Sequence, residues 1–95
     1  MAKALFTSGN IYMTPGIQDL MEEGLNPSSY LIRHIHGDYG DLCLSDCDLN
    51  RQSIPLRDRI MSSYVTPYGK MWIMTEWEDP EVDKPYTTLL TPAEY

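Results

Sequence analysis

Apolar positions along this chain recur at helical spacing as far as Pro55 and at every second residue after it. Asn10-Ile11-Tyr12-Met13-Thr14 alternates in character and predicts a short strand. Thr14-Pro15 supplies an N-cap and a proline at the first helical position. Ile17, Leu20 and Met21 then fall on one face, and Gly24 ends the segment. A second helix starts at once, with Asn26 as cap and Pro27 in the first turn. It puts Leu31, His34 and Ile35 on a common face and stops at Gly37. The short link between the two predicts a helical hairpin. Ser45-Asp46-Cys47-Asp48 has the composition of a third helix start, and Pro55 closes that helix early.

Beyond Pro55 the period becomes two. Arg59 to Val65 predicts a strand, Thr66 to Lys70 a turn, and Met71 to Trp77 a second strand. Both faces of the latter are largely apolar, Met71, Ile73, Thr75 and Trp77 on one and Trp72, Met74 and Glu76 on the other. That pattern predicts a central strand covered on much of both faces. Glu78 to Pro85 reads as an acidic connector, and Thr87 to Thr91 as a last strand stopped by Pro92. Helices first and strands afterwards make an α+β domain, with two or three short helices on one face of a three- to four-stranded antiparallel sheet. The 95 residues form one domain, 1–95, helical over about 14–54 and sheet over about 57–91.

Charge narrows the functional classes. Fourteen acids against seven bases give a net −7, with no run of lysine or arginine. Binding to nucleic acid or to an anionic membrane surface needs a basic face, so neither is expected directly. An acidic surface suits a protein partner that presents basic groups. No apolar run reaches the roughly 20 residues needed to span a bilayer, and the apolar part of Met1 to Phe6 is too short for a signal peptide. Two cysteines, Cys43 and Cys47, are too few for a disulfide framework, which places the chain in the cytoplasm with reduced thiols.

Potential chemistry concentrates in His34-Ile35-His36-Gly37-Asp38-Tyr39-Gly40-Asp41-Leu42, where the second helix stops. His34 with Asp38 and Asp41 could form a hydrolytic or metal-assisted site, with Glu76 as a further carboxylate. Zinc-ligating side chains also occur at His36, Cys43 and Cys47. Residues two apart on a helix point about 200° from each other, so His34 and His36 do not share an ion within one helix. No nucleophile elbow, zincin motif or phosphate loop is present, and no cofactor is expected. A structural account covers the same residues. His34 becomes a half-buried histidine bonded to a carboxylate or carbonyl, Gly37 and Gly40 permit bends, Asp38 and Asp41 accept backbone N–H groups, and Tyr39 lies as a lid over the helix–sheet junction. The candidate contact surface is Trp77, Glu78, Asp79 and Glu81, an aromatic anchor amid charge on a loop.

Several segments taken together carry a resemblance. They are Thr14-Pro15-Gly16, His34 with Gly37 to Leu42, Asn50, Arg59 to Tyr64, Lys70 to Glu76, Thr87 to Leu90, Pro92 and Glu94-Tyr95. In this order and spacing the chain, from about Ile11 to Tyr95, resembles a family of small bacterial proteins found on plasmids, prophages and other integrated elements. Members are called hypothetical or plasmid-related, and some carry the label of a type I restriction enzyme modification subunit. A methyltransferase needs a much larger α/β domain with a glycine-rich loop, which this chain lacks. His36, Cys43 and Cys47 stand outside the family motif, and the Glu78 to Lys84 connector is longer than usual for it. The resemblance implies an accessory protein of a mobile element, and with the acidic charge it suggests a non-catalytic protein binder, monomeric or homodimeric. Alternatives are a counter-defence DNA mimic in a basic nucleic-acid site, or a small enzyme built on His34, Asp38 and Asp41.

Overall fold

A computed structural model describes residues 3–95, so Met1 and Ala2 of the leader reading lie outside the described residues. Four strands, β1 (Asn10–Met13), β2 (Ile60–Thr66), β3 (Gly69–Trp77) and β4 (Pro85–Leu90), form one sheet in the order β1-β4-β3-β2. Three helices, α1 (Pro15–Glu23), α2 (Pro27–Ile35) and α3 (Leu44–Leu56), separate β1 from the rest. The α+β class is as the sequence pattern predicts. β2, β3 and β4 make the expected antiparallel meander, turning at Thr66 to Gly69. The sheet is mixed, however, because β1 runs parallel to β4. A strand followed by a helical crossover is free of hairpin constraint and can join a distant strand in parallel.

The caps form where the sequence places them. Thr14 Oγ1 accepts the Ile17 N–H at the start of α1, and Asn26 Oδ1 accepts the Ser28 N–H at the start of α2. A second device reinforces α1. The Glu94 carboxylate takes the Thr14 hydroxyl (2.6 Å), the Gly16 N–H (3.0 Å) and the Thr91 N–H (2.9 Å). A negative charge at a helix N-terminus is favourable, and these donors hold the Glu94 carboxyl down at about 2, the Thr14 hydroxyl being the largest cause. A side chain at position 16 would run into that carboxylate, which accounts for Gly16.

The core lies between the α1–α2 hairpin and the sheet. Ile17 and Leu25 pack on Tyr64, Met71, Ile73 and Leu89, with Leu20, Tyr30 and Leu31 around them. Met21, expected on the same face, is exposed. On the far face Met74 and Leu90 are buried and the Trp72 ring meets Tyr95 edge-on at 5.5 Å. β3 is therefore covered on much of both faces. No helix among the described residues is long and apolar enough to cross a membrane.

α3 departs most from expectation. It starts at Leu44 with Cys43 at the N-cap and no side-chain cap bond, and it includes Pro55. Proline is accommodated because it sits in the last turn, where it removes one N–H just before Arg57 closes the helix in the left-handed region. Thirteen residues make α3 the longest of the three helices rather than a short one. Nor does it lie on the helical face. Asn50, its buried residue, donates Nδ2–H to the Met61 carbonyl (2.7 Å) and accepts the Met61 N–H (3.1 Å). One amide thereby imitates a neighbouring strand along β2.

Replacing that amide with an isosteric apolar group strands two backbone groups at once. Asn50→Leu is expected to lower the unfolding free energy by about 2–3 kcal/mol, measured by urea titration, with α1–α2 packing retained.

Candidate functional site

His34 is fully buried, deeper than the half-buried position expected, and its partners are hydroxyls instead of a carboxylate or carbonyl. Nδ1 meets Ser62 Oγ of β2 at 2.5 Å, and Nε2 meets Thr75 Oγ1 of β3 at 2.9 Å. The chain continues from Thr75 to Thr87 Oγ1 of β4 (2.8 Å) and from Thr87 to the Ser8 carbonyl (2.7 Å). Its end fixes the protons as far as Nε2. A carbonyl only accepts, so Thr87 donates to Ser8 and must accept from Thr75. Thr75 has then spent its one hydrogen and accepts from Nε2–H. Burial pushes the ring's pKa down to about 3, so His34 is neutral, its one proton sits on Nε2, and Nδ1 turns its lone pair toward Ser62, which donates. Phe6 and Tyr39 enclose the ring edge-on, with centroids at 5.2 and 6.4 Å.

The other members of the motif turn elsewhere. Asp38 faces Arg33 (2.7 Å), whose hydrogen bond lowers its carboxyl pKa, and it also accepts the Gly40 N–H (3.2 Å) as expected of a bend residue. Arg33 in turn lies over the Tyr64 ring at 4.8 Å. Tyr64 donates its hydroxyl to the Asp38 carbonyl (2.6 Å), and burial raises its pKa to about 12. Asp41 lies 3.5 Å from Lys70. Gly37 takes a positive φ after the α2 cap. Gly40 does so where the chain bridges to Ser63, and a Cβ there would strike the Ser63 backbone. Tyr39 is buried, and its hydroxyl has no hydrogen-bond partner among the described residues. His34, Asp38 and Asp41 thus do not converge on one point, and the motif reads as the splice between α2 and β2.

No group of three or more histidine, cysteine or acidic side chains able to hold a metal occurs among the described residues. His36 is exposed and bonds the Ile32 carbonyl through Nδ1 (2.7 Å). Cys43 is exposed beside Ser45 and Asp46, and Cys47 points at the Leu42 carbonyl.

The acidic connector brings a different set of groups together. Trp77 is not on the loop; it ends β3, half-buried, with Nε1–H on Asp83 (3.2 Å) and its ring edge-on to Phe6. Asp79 and Glu81 are exposed, and Asp79 Oδ1 caps the Glu81 N–H in a tight turn. Glu78 instead lines an open groove of about 870 Å³ on the far face of the sheet, with Asp83, Lys84, Asn10, Tyr12 and Tyr86. The Tyr12 and Tyr86 rings meet edge-on at 6.3 Å, and the Tyr86 hydroxyl donates to Glu76 (2.7 Å), a bond that raises the tyrosine's pKa.

β1 borders this groove as an edge strand. Thr14 N donates to the Leu89 carbonyl of β4, so by strand alternation Asn10 and Tyr12 share that side. Ile11 and Met13 then turn their N–H and C=O groups outward. All four β1 residues are exposed. Tyr12 and Tyr86 escaped the sequence reading because their meeting depends on β1 joining β4, a pairing of remote segments that no local pattern encodes. Comparison of the chain with models of known families, with curated proteins and with solved structures finds no match in any of the three.

The buried histidine makes stability depend on pH with a definite sign. Its folded pKa lies below the unfolded value of 6.5, so the unfolded chain takes up the proton first. His34's contribution is complete above pH 6.5 and declines as pH falls toward 3. Chemical denaturation at stepped pH is expected to show a loss of about 3 kcal/mol by pH 4.5. His34→Gln should flatten that limb, leaving the carboxylate-linked loss below pH 4.

Proposed function

We propose that this protein is a non-catalytic binding module that engages another polypeptide through the open β1 edge and the groove beside it. The observation that carries the reading is the unequal treatment of the two sheet edges. Along β2 most of the outward groups are occupied: Asn50 takes both those of Met61, while Ser63 N donates to the Tyr39 carbonyl and the Ser63 carbonyl accepts from Asp41 N, and only Val65, beside the turn, stays uncovered among the described residues. Along β1, Ile11 and Met13 have no such cover among the described residues. Unpaired edges invite strand addition, and proteins usually blunt them. A module that covers the greater part of one edge with a side chain and a loop, and leaves the other bare beside an aromatic groove, is arranged for pairing by main-chain hydrogen bonds.

The burial and complete hydrogen bonding of His34 support a structural role for it and weigh against its use as a general base. The likeness to small plasmid and prophage proteins fits an accessory factor that acts on a partner protein of its host cell. In this reading the contact surface shifts from Trp77, Asp79 and Glu81 to Ile11, Tyr12, Met13 and Tyr86, with Glu78 retained.

Ile11→Pro removes one outward N–H and leaves the bonds to β4 in place, because proline is tolerated on the open side of an edge strand. A partner retained on immobilised wild-type protein is expected to be lost from Ile11→Pro at least tenfold while circular dichroism and Tm stay close to wild type. Equal retention by a folded Ile11→Pro would remove the edge from the account.

A further inference from the structure

We propose that the occupant of the β1 edge is an extended segment of a partner protein that alternates apolar residues with arginine or lysine. This rests on the edge-binding reading above and adds the chemistry of the partner. A strand laid against β1 shows its side chains alternately to the two faces of the sheet. On the helical face it would lie beside Ile11 and Met13, which are 42% and 36% exposed. That side asks for apolar residues, whose burial against the two would help hold the strand.

On the other face the incoming side chains reach Tyr12, 54% exposed, and the groove behind it. Two phenol rings in edge contact leave an open aromatic face, and Glu76 holds the hydroxyl of the second. Glu78 and Asp83 line the same groove with Lys84; Asp83 also has Arg57 at 4.0 Å and accepts from Trp77 Nε1–H, so Glu78 is the carboxylate left free for an incoming cation among the described residues. An aromatic face backed by carboxylates favours a cation, and a guanidinium satisfies both, stacking on the ring while its N–H groups reach the acids. The net −7 of the chain extends the same preference outward by attracting a basic segment before contact. A second copy of this chain carries the same excess of acid and would place like charges side by side, which selects against self-pairing.

Fluorescence anisotropy with the full chain tests this, using a short labelled peptide that alternates arginine with valine. Three controls accompany it: the same peptide N-methylated at alternate backbone amides in each phase, a threonine–valine peptide, and the variant Glu78→Lys. The arginine–valine peptide is expected to bind and to weaken as salt rises. Affinity should fall at least tenfold in one N-methylated phase, in the threonine–valine peptide and in Glu78→Lys. Equal binding of the threonine–valine peptide would overturn the basic-partner inference and leave the edge reading standing. So would a dimer in sedimentation that Ile11→Pro dissolves, since the edge would then belong to a second copy. A monomer that binds neither peptide would defeat both readings, and equal binding of both N-methylated phases would show that charge alone, without strand pairing, holds the peptide.

Discussion

The hydrogen-bonded chain from Ser62 through His34, Thr75 and Thr87 to Ser8 sets how the two layers of this protein meet. It crosses three strands, enters the second helix at one residue and ends on the segment that leads into β1. Hydroxyls and an imidazole in a dry interior are tolerable only when all of them are satisfied, and a one-residue slip of any strand would break the series. Hydrophobic packing of Ile17, Leu25, Tyr64, Ile73 and Leu89 supplies the drive to collapse, but it would accept several arrangements of similar volume. The polar chain admits one. The motif around His34 therefore does more to specify the fold than to offer reactive groups.

Local signals were readable where a local rule governs the outcome. Thr14-Pro15, Asn26-Pro27, Gly24 and Gly37 mark the ends of α1 and α2 as capping chemistry requires, and the switch of period after Pro55 marks the meander. The sequence misled where tertiary context overrides a local preference. Pro55 ends most helices but fits the last turn of α3, and Ser45 looks like a cap although the helix begins one residue earlier. His34 illustrates a subtler gap. Its helical face announced burial, yet nothing local distinguishes a carboxylate partner from the threonine of a strand 41 residues away. Asn50 entered the sequence reading only through its place in a resemblance, and its task of bonding both Met61 backbone groups emerges only with the fold.

The candidate contact surface was half legible for a related reason. A stretch of five acids around a tryptophan singled out the connector, and two of those acids, Glu78 and Asp83, line the groove. The tryptophan lies on the end of β3 and not on the loop, half-buried with its ring edge-on to Phe6. The aromatic rings that line the groove, exposed Tyr12 and half-buried Tyr86, sit 74 positions apart and meet only across the parallel pair.

The Glu94 carboxylate has a consequence for the order in which this molecule assembles. Its bonds to Thr14 and Gly16 close loops of 80 and 78 residues, and β1 pairs with the equally remote β4. Closing such loops costs entropy before any contact repays it, so these pairings belong late on the folding route. During synthesis β1 and the first turn of α1 emerge early and then wait, with apolar residues and backbone donors uncovered, until the segment carrying β4 and Glu94 leaves the ribosome. The exposed edge of the finished protein is thus, for the duration of translation, exposed on both sides.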